Sequence, residues 1–108
     1  MTNNDKVPEL TKGSFEDFVK SGISLVDFYA DWCMPCVTMA PIVEELAEKF
    51  EGEIKFGKVS VDDNPELVRK FGVNAMPTFI LFENGEVANK FLGAMSVEDF
   101  EEKLKSVV

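Results

Sequence analysis

Residues 23–61 constrain the fold most, because a strand pattern, a helix pattern and a second strand pattern follow one another there. Residues 23–30 are apolar apart from Ser24 and Asp27 and are rich in β-branched and aromatic side chains, which is typical of a strand covered on both faces. A helix pattern then runs to about residue 50, and residues 54–61 predict another strand. A strand–helix–strand unit of this kind has a parallel strand pair, so we expect an α/β fold.

The flanking segments add further strands and three helices to this unit. Residues 7–10 predict a short edge strand, because Pro8 cannot donate a hydrogen bond inside a sheet. Residues 78–82 and 87–92 predict an antiparallel hairpin around Asn84-Gly85, a pair typical of tight turns. Three more helices are predicted after the N-cap residues Ser14, Asn64 and Ser96. We therefore expect a three-layer fold with a central mixed sheet of about five strands flanked by four helices.

Length, composition and charge predict one acidic domain. The 108 residues are of single-domain length, so we expect one domain over residues 1–108 with a flexible N-terminus at 1–6. The net charge of −9 argues against nucleic acid and anionic membrane surfaces, which both need a basic footprint. The sequence shows neither a signal peptide nor a membrane-spanning stretch. We expect a soluble, cytoplasmic monomer without bound cofactor.

Cys33 and Cys36 are the only cysteines, and they stand where the first strand pattern ends and the helix pattern begins. Cα atoms three residues apart in a helix lie about 5–6 Å from each other, within the range that a disulfide accepts. Backbone N–H groups and the helix dipole stabilise a thiolate at a helix N-terminus. We therefore expect redox chemistry, with Cys33 as the nucleophile and Cys36 more deeply buried.

Two structural alternatives for the cysteine pair remain open at this point. The first is a static disulfide bridge. The second is a zinc site, but the chain has no histidine and no third cysteine, so two chains would have to share four cysteines.

Asp27 is a carboxylate within a strand that otherwise predicts complete burial. An isolated ionised carboxylate is unfavourable in such a place, so we expect a raised pKa unless a cation reaches it. Lys58, in the next strand pattern, is the candidate cation. The alternative is an Asp27 that points to solvent at a sheet edge, but the apolar residues on both sides favour burial.

Together these residues resemble the thioredoxin family. The resemblance is strongest over residues 25–36, which read Leu-Val-Asp-Phe-Tyr-Ala-Asp-Trp-Cys-Met-Pro-Cys, and it covers residues 8–107 with the spacings kept. It implies a protein-disulfide reductase in which Cys33 attacks a target disulfide and Cys36 resolves the mixed disulfide. It also implies that Asp27, helped by Lys58, accepts the Cys36 proton through a water. The other matching positions are Ala40-Pro41, Val61-Asp62, Met76-Pro77-Thr78, Asn84-Gly85 and Gly93-Ala94.

The resemblance further implies how partners bind. The bond before Pro77 would be cis, and the backbone of Met76 would offer hydrogen bonds to an extended segment of a disulfide-containing target protein. A flat apolar patch of Trp32, Pro35, Met76 and Gly93 would receive these targets. A reductase, either a flavoprotein that uses NADPH or one linked to ferredoxin, would recharge the protein.

Two residues depart from the family pattern. Met34 stands where glycine is common, and it enlarges the apolar patch with a flexible side chain. Val37 stands where many relatives have a basic residue, and the loss of that cation leaves the thiolate less favoured. The residues between the cysteines tune the reduction potential, so a glutaredoxin-like or isomerase-like enzyme of higher potential remains an alternative. A binding module without catalysis is another.

Overall fold

Four helices and four strands follow one another in the computed structural model, which describes residues 6–108. In chain order they are α1 (Lys12–Val19), β1 (Ile23–Tyr29), α2 (Met34–Lys49), β2 (Lys55–Ser60), α3 (Pro65–Lys70), β3 (Thr78–Glu83), β4 (Glu86–Leu92) and α4 (Val97–Lys105). The flexible N-terminus predicted for residues 1–6 lies, except for Lys6, outside the described residues. None of the helices within residues 6–108 has the length and apolar character needed to cross a membrane.

The strands form one mixed sheet in the order β2-β1-β3-β4. β1 runs parallel to β2, and β3 is antiparallel to both β1 and β4. The central position of β1 explains its nearly continuous apolar sequence, because helices cover both of its faces. In the register of β1 and β2, Asp27 lies directly opposite Lys58. The predicted α/β class and the mixed sheet are confirmed.

The described part of the chain has four strands in this sheet, and not the predicted five or so. In place of an edge strand at residues 7–10, Glu9 forms a single parallel bridge with Lys58. The Lys58 N–H donates to the Pro8 carbonyl at 3.0 Å, and the Leu10 N–H donates to the Lys58 carbonyl at 2.7 Å. Pro8 has no N–H of its own, so the ladder cannot continue past it.

The side chains of the sheet alternate between two buried clusters, one on each face. Leu25 of β1 belongs to the cluster that includes Phe100 of α4 and residues of α2. Val26 and Phe28 belong to the cluster on the other face, which includes Phe15 of α1. Two layers of helices therefore enclose the sheet, as predicted. This period of two places Asp27 on the same face as Leu25, toward α2.

The helices begin near the predicted N-cap residues, with one exception. Asn64 is the N-cap residue of α3. Ser96 caps α4, because its Oγ accepts a hydrogen bond from the Asp99 N–H at 3.1 Å. Helix α1, however, has Thr11 as its N-cap and not Ser14. Ser14 lies three residues further on, where its Oγ accepts the Thr11 N–H at 3.0 Å. Ser14 therefore supports the helix start from the position that Glu or Gln takes in a capping box.

Candidate active site

The cysteine pair lies where β1 ends and α2 begins. Cys33 is the N-cap residue of α2, and its Sγ accepts a hydrogen bond from the Cys36 N–H at 3.2 Å. The two residues form a disulfide, with their Cα atoms 5.2 Å apart. Both side chains are buried, with exposed fractions of 6% for Cys33 and 4% for Cys36, so burial hardly distinguishes them.

A cavity beneath the disulfide does distinguish the two cysteines. Its volume is about 370 Å³, and Cys36 is among its lining residues whereas Cys33 is not. The complete lining consists of Asp27, Tyr29, Ala30, Asp31, Cys36, Val37, Ala40 and Lys58. The structure thus places Cys36 in one cavity with the buried carboxyl group of Asp27 and the amine-bearing side chain of Lys58. Both cysteines pack in one small cluster with Ala30, and the half-buried Met76 lies against this cluster.

Asp27 is buried in the middle of the sheet, so the alternative of a solvent-facing Asp27 at a sheet edge is wrong. Its exposed fraction is 6%, and its Oδ1 accepts no hydrogen bond from the described residues. The pKa of Asp27 is raised from 3.8 to about 7, mainly by burial and to a smaller extent by the negative charge of Glu9. The positive charge of Lys58 acts in the opposite direction and lowers this pKa. The carboxyl group therefore changes its protonation state near neutral pH.

A second set of contacts surrounds Lys58 and was not predicted from the sequence. The Lys58 Nζ lies 5.6 Å from the centroid of the Tyr29 ring. The Tyr29 hydroxyl donates a hydrogen bond to Glu9 Oε1 at 2.7 Å. Tyr29 follows Asp27 by two residues, so the period of a strand could have identified it as a neighbour on the same face. No comparable signal marks Glu9, because its approach to Lys58 depends on the bridge to β2.

The surface around the disulfide is apolar and exposed. Trp32 has an exposed fraction of 66% and Met34 of 70%, and Pro35 beside them is also exposed. The indole N–H of Trp32 donates to Asp62 Oδ2 at 2.9 Å. Leu92, which pairs with Thr78 at the end of β4, is also exposed, with a fraction of 64%.

The remaining predicted site residues, Met76, Pro77 and Gly93, lie near the start of β3. The Met76–Pro77 peptide bond is cis, as the sequence suggested. The Gly93 N–H donates to the Pro77 carbonyl at 2.9 Å, which ties the end of the hairpin to the start of β3. Gly93 has a φ of +84°, a conformation that glycine adopts without steric penalty. Met76 and Gly93 are both half-buried and therefore partly accessible.

The described residues test the zinc alternative only within one chain, whereas that alternative needs four cysteines from two chains. Both sulfurs are bonded to each other. Within residues 6–108, no group of three or more His, Cys, Asp or Glu side chains is arranged to hold a metal ion.

Comparison with known proteins agrees with the geometry of the site. The family model described as Thioredoxin matches residues 6–106. The thioredoxin of Staphylococcus saprophyticus is 39% identical over 99 residues, which cover 92% of this chain and 95% of the relative. The thioredoxin of Staphylococcus haemolyticus is 40% identical over 98 residues, which cover 91% of this chain and 94% of the relative. The chain therefore belongs to the thioredoxin family of protein dithiol–disulfide oxidoreductases.

Proposed function

We propose that Cys33 and Cys36 divide the reductase cycle between them, Cys33 as the attacking and Cys36 as the resolving cysteine, with Asp27 as the proton acceptor for Cys36. The observation that carries this proposal is the cavity, which Cys36 shares with Asp27 and from which Cys33 is absent. The cycle starts from the dithiol form and ends in the disulfide form described above.

The first step forms a bond between Cys33 and the target. The Cys33 thiolate attacks one sulfur of a target disulfide, so that a Cys33–target bond forms while the target disulfide breaks. The other target sulfur leaves as a thiolate and takes a proton from the solvent. Two features of the structure favour Cys33 for this role: its position as N-cap of α2, and the Cys36 N–H directed at its sulfur.

The second step releases the target. The Cys36 thiol transfers its proton to the carboxylate of Asp27, through a water for which the cavity of about 370 Å³ has room. The Cys36 thiolate then attacks the Cys33 sulfur, the intramolecular disulfide forms, and the second target sulfur leaves and is protonated. The target has then gained two electrons and two protons. A carboxyl group with a pKa of about 7 suits this task, because an acceptor works best when its pKa is near the working pH.

Targets would bind on the apolar surface around the disulfide. Trp32, Met34 and Pro35 are exposed on one side of it, and Met76 and Gly93 are partly exposed near Pro77. An extended target segment would add hydrogen bonds to the Met76 backbone, as in other cases of strand addition. The partners are thus disulfide-containing proteins and a reductase, linked to NADPH or to ferredoxin. We further propose that residues 1–108 act as a single, monomeric domain in the cytoplasm.

Trapping with serine variants tests the division of roles. With Cys36→Ser, attack by Cys33 still occurs but resolution does not, so we expect covalent complexes with a disulfide-containing target such as insulin on non-reducing gels. The matched variant Cys33→Ser should give no complexes. Both variants should lose insulin reduction with dithiothreitol as electron donor. Complexes that form with Cys33→Ser and not with Cys36→Ser would reverse the assignment.

A further inference from the structure

Glu9 is an exposed residue on the segment that bridges to β2. We propose that Glu9 is a positioning residue of the reductase, which holds Tyr29 and Lys58 against the cavity and so controls proton uptake by Asp27. This inference rests on the proposed role of Asp27 as the proton acceptor.

The backbone and the side chain of Glu9 are both tied to the cavity wall. Its backbone forms the bridge with Lys58, and the residues on either side of it, Pro8 and Leu10, exchange hydrogen bonds with Lys58 at 3.0 and 2.7 Å. Its carboxylate accepts the Tyr29 hydroxyl at 2.7 Å. Because Tyr29 and Lys58 both line the cavity, Glu9 contacts two of its walls from outside.

The polarity of the Tyr29–Glu9 hydrogen bond is fixed. Burial raises the pKa of Tyr29 above its usual value, and the hydrogen bond to Glu9 raises it further. The phenol therefore stays protonated over the pH range in which proteins work, and Tyr29 remains the donor. Glu9 is consequently the acceptor, and its carboxylate is directed at the Tyr29 side of the cavity.

The negative charge of Glu9 opposes the effect of Lys58 on Asp27. Burial is the main reason for the raised pKa of Asp27, Lys58 lowers that pKa, and Glu9 raises it. Two other neighbours of Asp27 carry no charge: Phe79 of β3, which faces it in the register, is apolar, and Cys36 is in the disulfide. Asp31 also lines the cavity, and its charge raises the pKa of Tyr29.

Loss of the Glu9 charge should therefore leave the attraction of Lys58 less opposed. Asp27 would then lose its proton at a lower pH and would be a weaker proton acceptor for Cys36 at neutral pH. Glu9→Gln is the appropriate change, because a glutamine Oε1 can still accept the Tyr29 hydroxyl while the charge is removed.

The direct measurement is a pH titration of the Asp27 side-chain carboxyl by carbon NMR in the oxidised protein, where neither cysteine titrates. We expect the midpoint of Glu9→Gln to be lower than that of the wild type. Glu102→Gln removes the same charge from an exposed position in α4 that does not line the cavity, and serves as the matched control. An unchanged midpoint in Glu9→Gln, or equal shifts in both variants, would overturn the proposal.

The Tyr29→Phe variant tests whether the hydroxyl holds Glu9 in place. We expect Tyr29→Phe, introduced into the wild type, to lower the titration midpoint of the Asp27 carboxyl. The same change introduced into Glu9→Gln should have a smaller effect, because Tyr29 and Glu9 act through one contact. Equal effects of Tyr29→Phe in both backgrounds would contradict a positioning role for Glu9.

Kinetics separate this inference from the proposed function. If Asp27 is the acceptor, introducing Glu9→Gln into the wild type should slow release of the target from the mixed disulfide at neutral pH. Introducing Glu9→Gln into the Asp27→Asn variant should leave this release rate unchanged. A shifted titration combined with identical release rates for wild type and Asp27→Asn would remove Asp27 from the mechanism while leaving its control by Glu9 intact.

Discussion

Replacement of Asp27 by asparagine should change how the stability of the oxidised protein depends on pH. Asp27 has an exposed fraction of 6%, and its pKa is about 7 in the folded protein against a usual value of 3.8. Between these two pH values the folded chain holds a proton that the unfolded chain has lost. The wild type therefore loses stability as the pH rises through this interval, and none of that stabilisation remains above the folded pKa.

The size of the effect follows from the same two values. Each pH unit between 3.8 and about 7 contributes about 1.4 kcal/mol, so the full interval corresponds to about 4 kcal/mol. Asparagine has a similar shape and no charge. The unfolding free energy of Asp27→Asn relative to the wild type should thus rise by this order of magnitude from about pH 4 to about pH 8. The buried amide N–H groups add a cost that is independent of pH, so the slope is the informative quantity.

Urea unfolding followed by circular dichroism, at constant ionic strength and with the disulfide intact, measures this difference. Asp63→Asn, at an exposed position after β2, is the control for the loss of one negative charge, and its effect should change less with pH. A stability difference between Asp27→Asn and the wild type that stays constant over the whole range would refute the reasoning. It would mean that burial does not alter the titration of Asp27.

Two further predictions concern packing and target contact. Gly57→Ala should reduce the unfolding free energy by about 1–3 kcal/mol in urea, because the new Cβ would lie 2.7 Å from Leu10 Cδ1 and 3.1 Å from the Phe18 ring. A loss below about 0.5 kcal/mol would show that the Leu10 side chain moves aside. Trp32→Phe removes the donor to Asp62 from a side chain with an exposed fraction of 66%. We expect less than about 1 kcal/mol of lost stability but a lower kcat/KM for insulin reduction, and an unchanged kcat/KM would exclude Trp32 from target contact.

Much of the fold was predictable because local signals and tertiary packing agree. The apolar run of β1 indicated a central strand, and the structure covers both of its faces. Asn84-Gly85 forms the hairpin turn, with positive φ at both residues. The burial of Asp27 followed from its apolar neighbours, and its pairing with Lys58 followed from the expected βαβ unit.

The errors arose where two local choices were nearly equivalent. Thr11 and Ser14 are both good N-cap residues, and only the hydrogen bond between them shows which one begins α1. Residues 7–10 have a strand-like sequence, but the number of ladder bonds depends on how closely the segment follows β2. Glu9 could not be identified in advance, because an exposed acidic residue in a chain of net charge −9 carries no distinguishing signal.

The short spacing of Cys33 and Cys36 limits how much the fold depends on their bond. A disulfide stabilises mainly by restricting the unfolded chain, and the restriction grows with the length of the enclosed loop. A loop of four residues corresponds to about 2 kcal/mol, against nearly 5 kcal/mol for a bridge that encloses about 100 residues. The two clusters on the faces of the sheet therefore account for most of the stability in either oxidation state. The folded chain can therefore give up or accept two electrons at the cysteine pair. Its disulfide holds oxidising equivalents and contributes little to the stability of the fold.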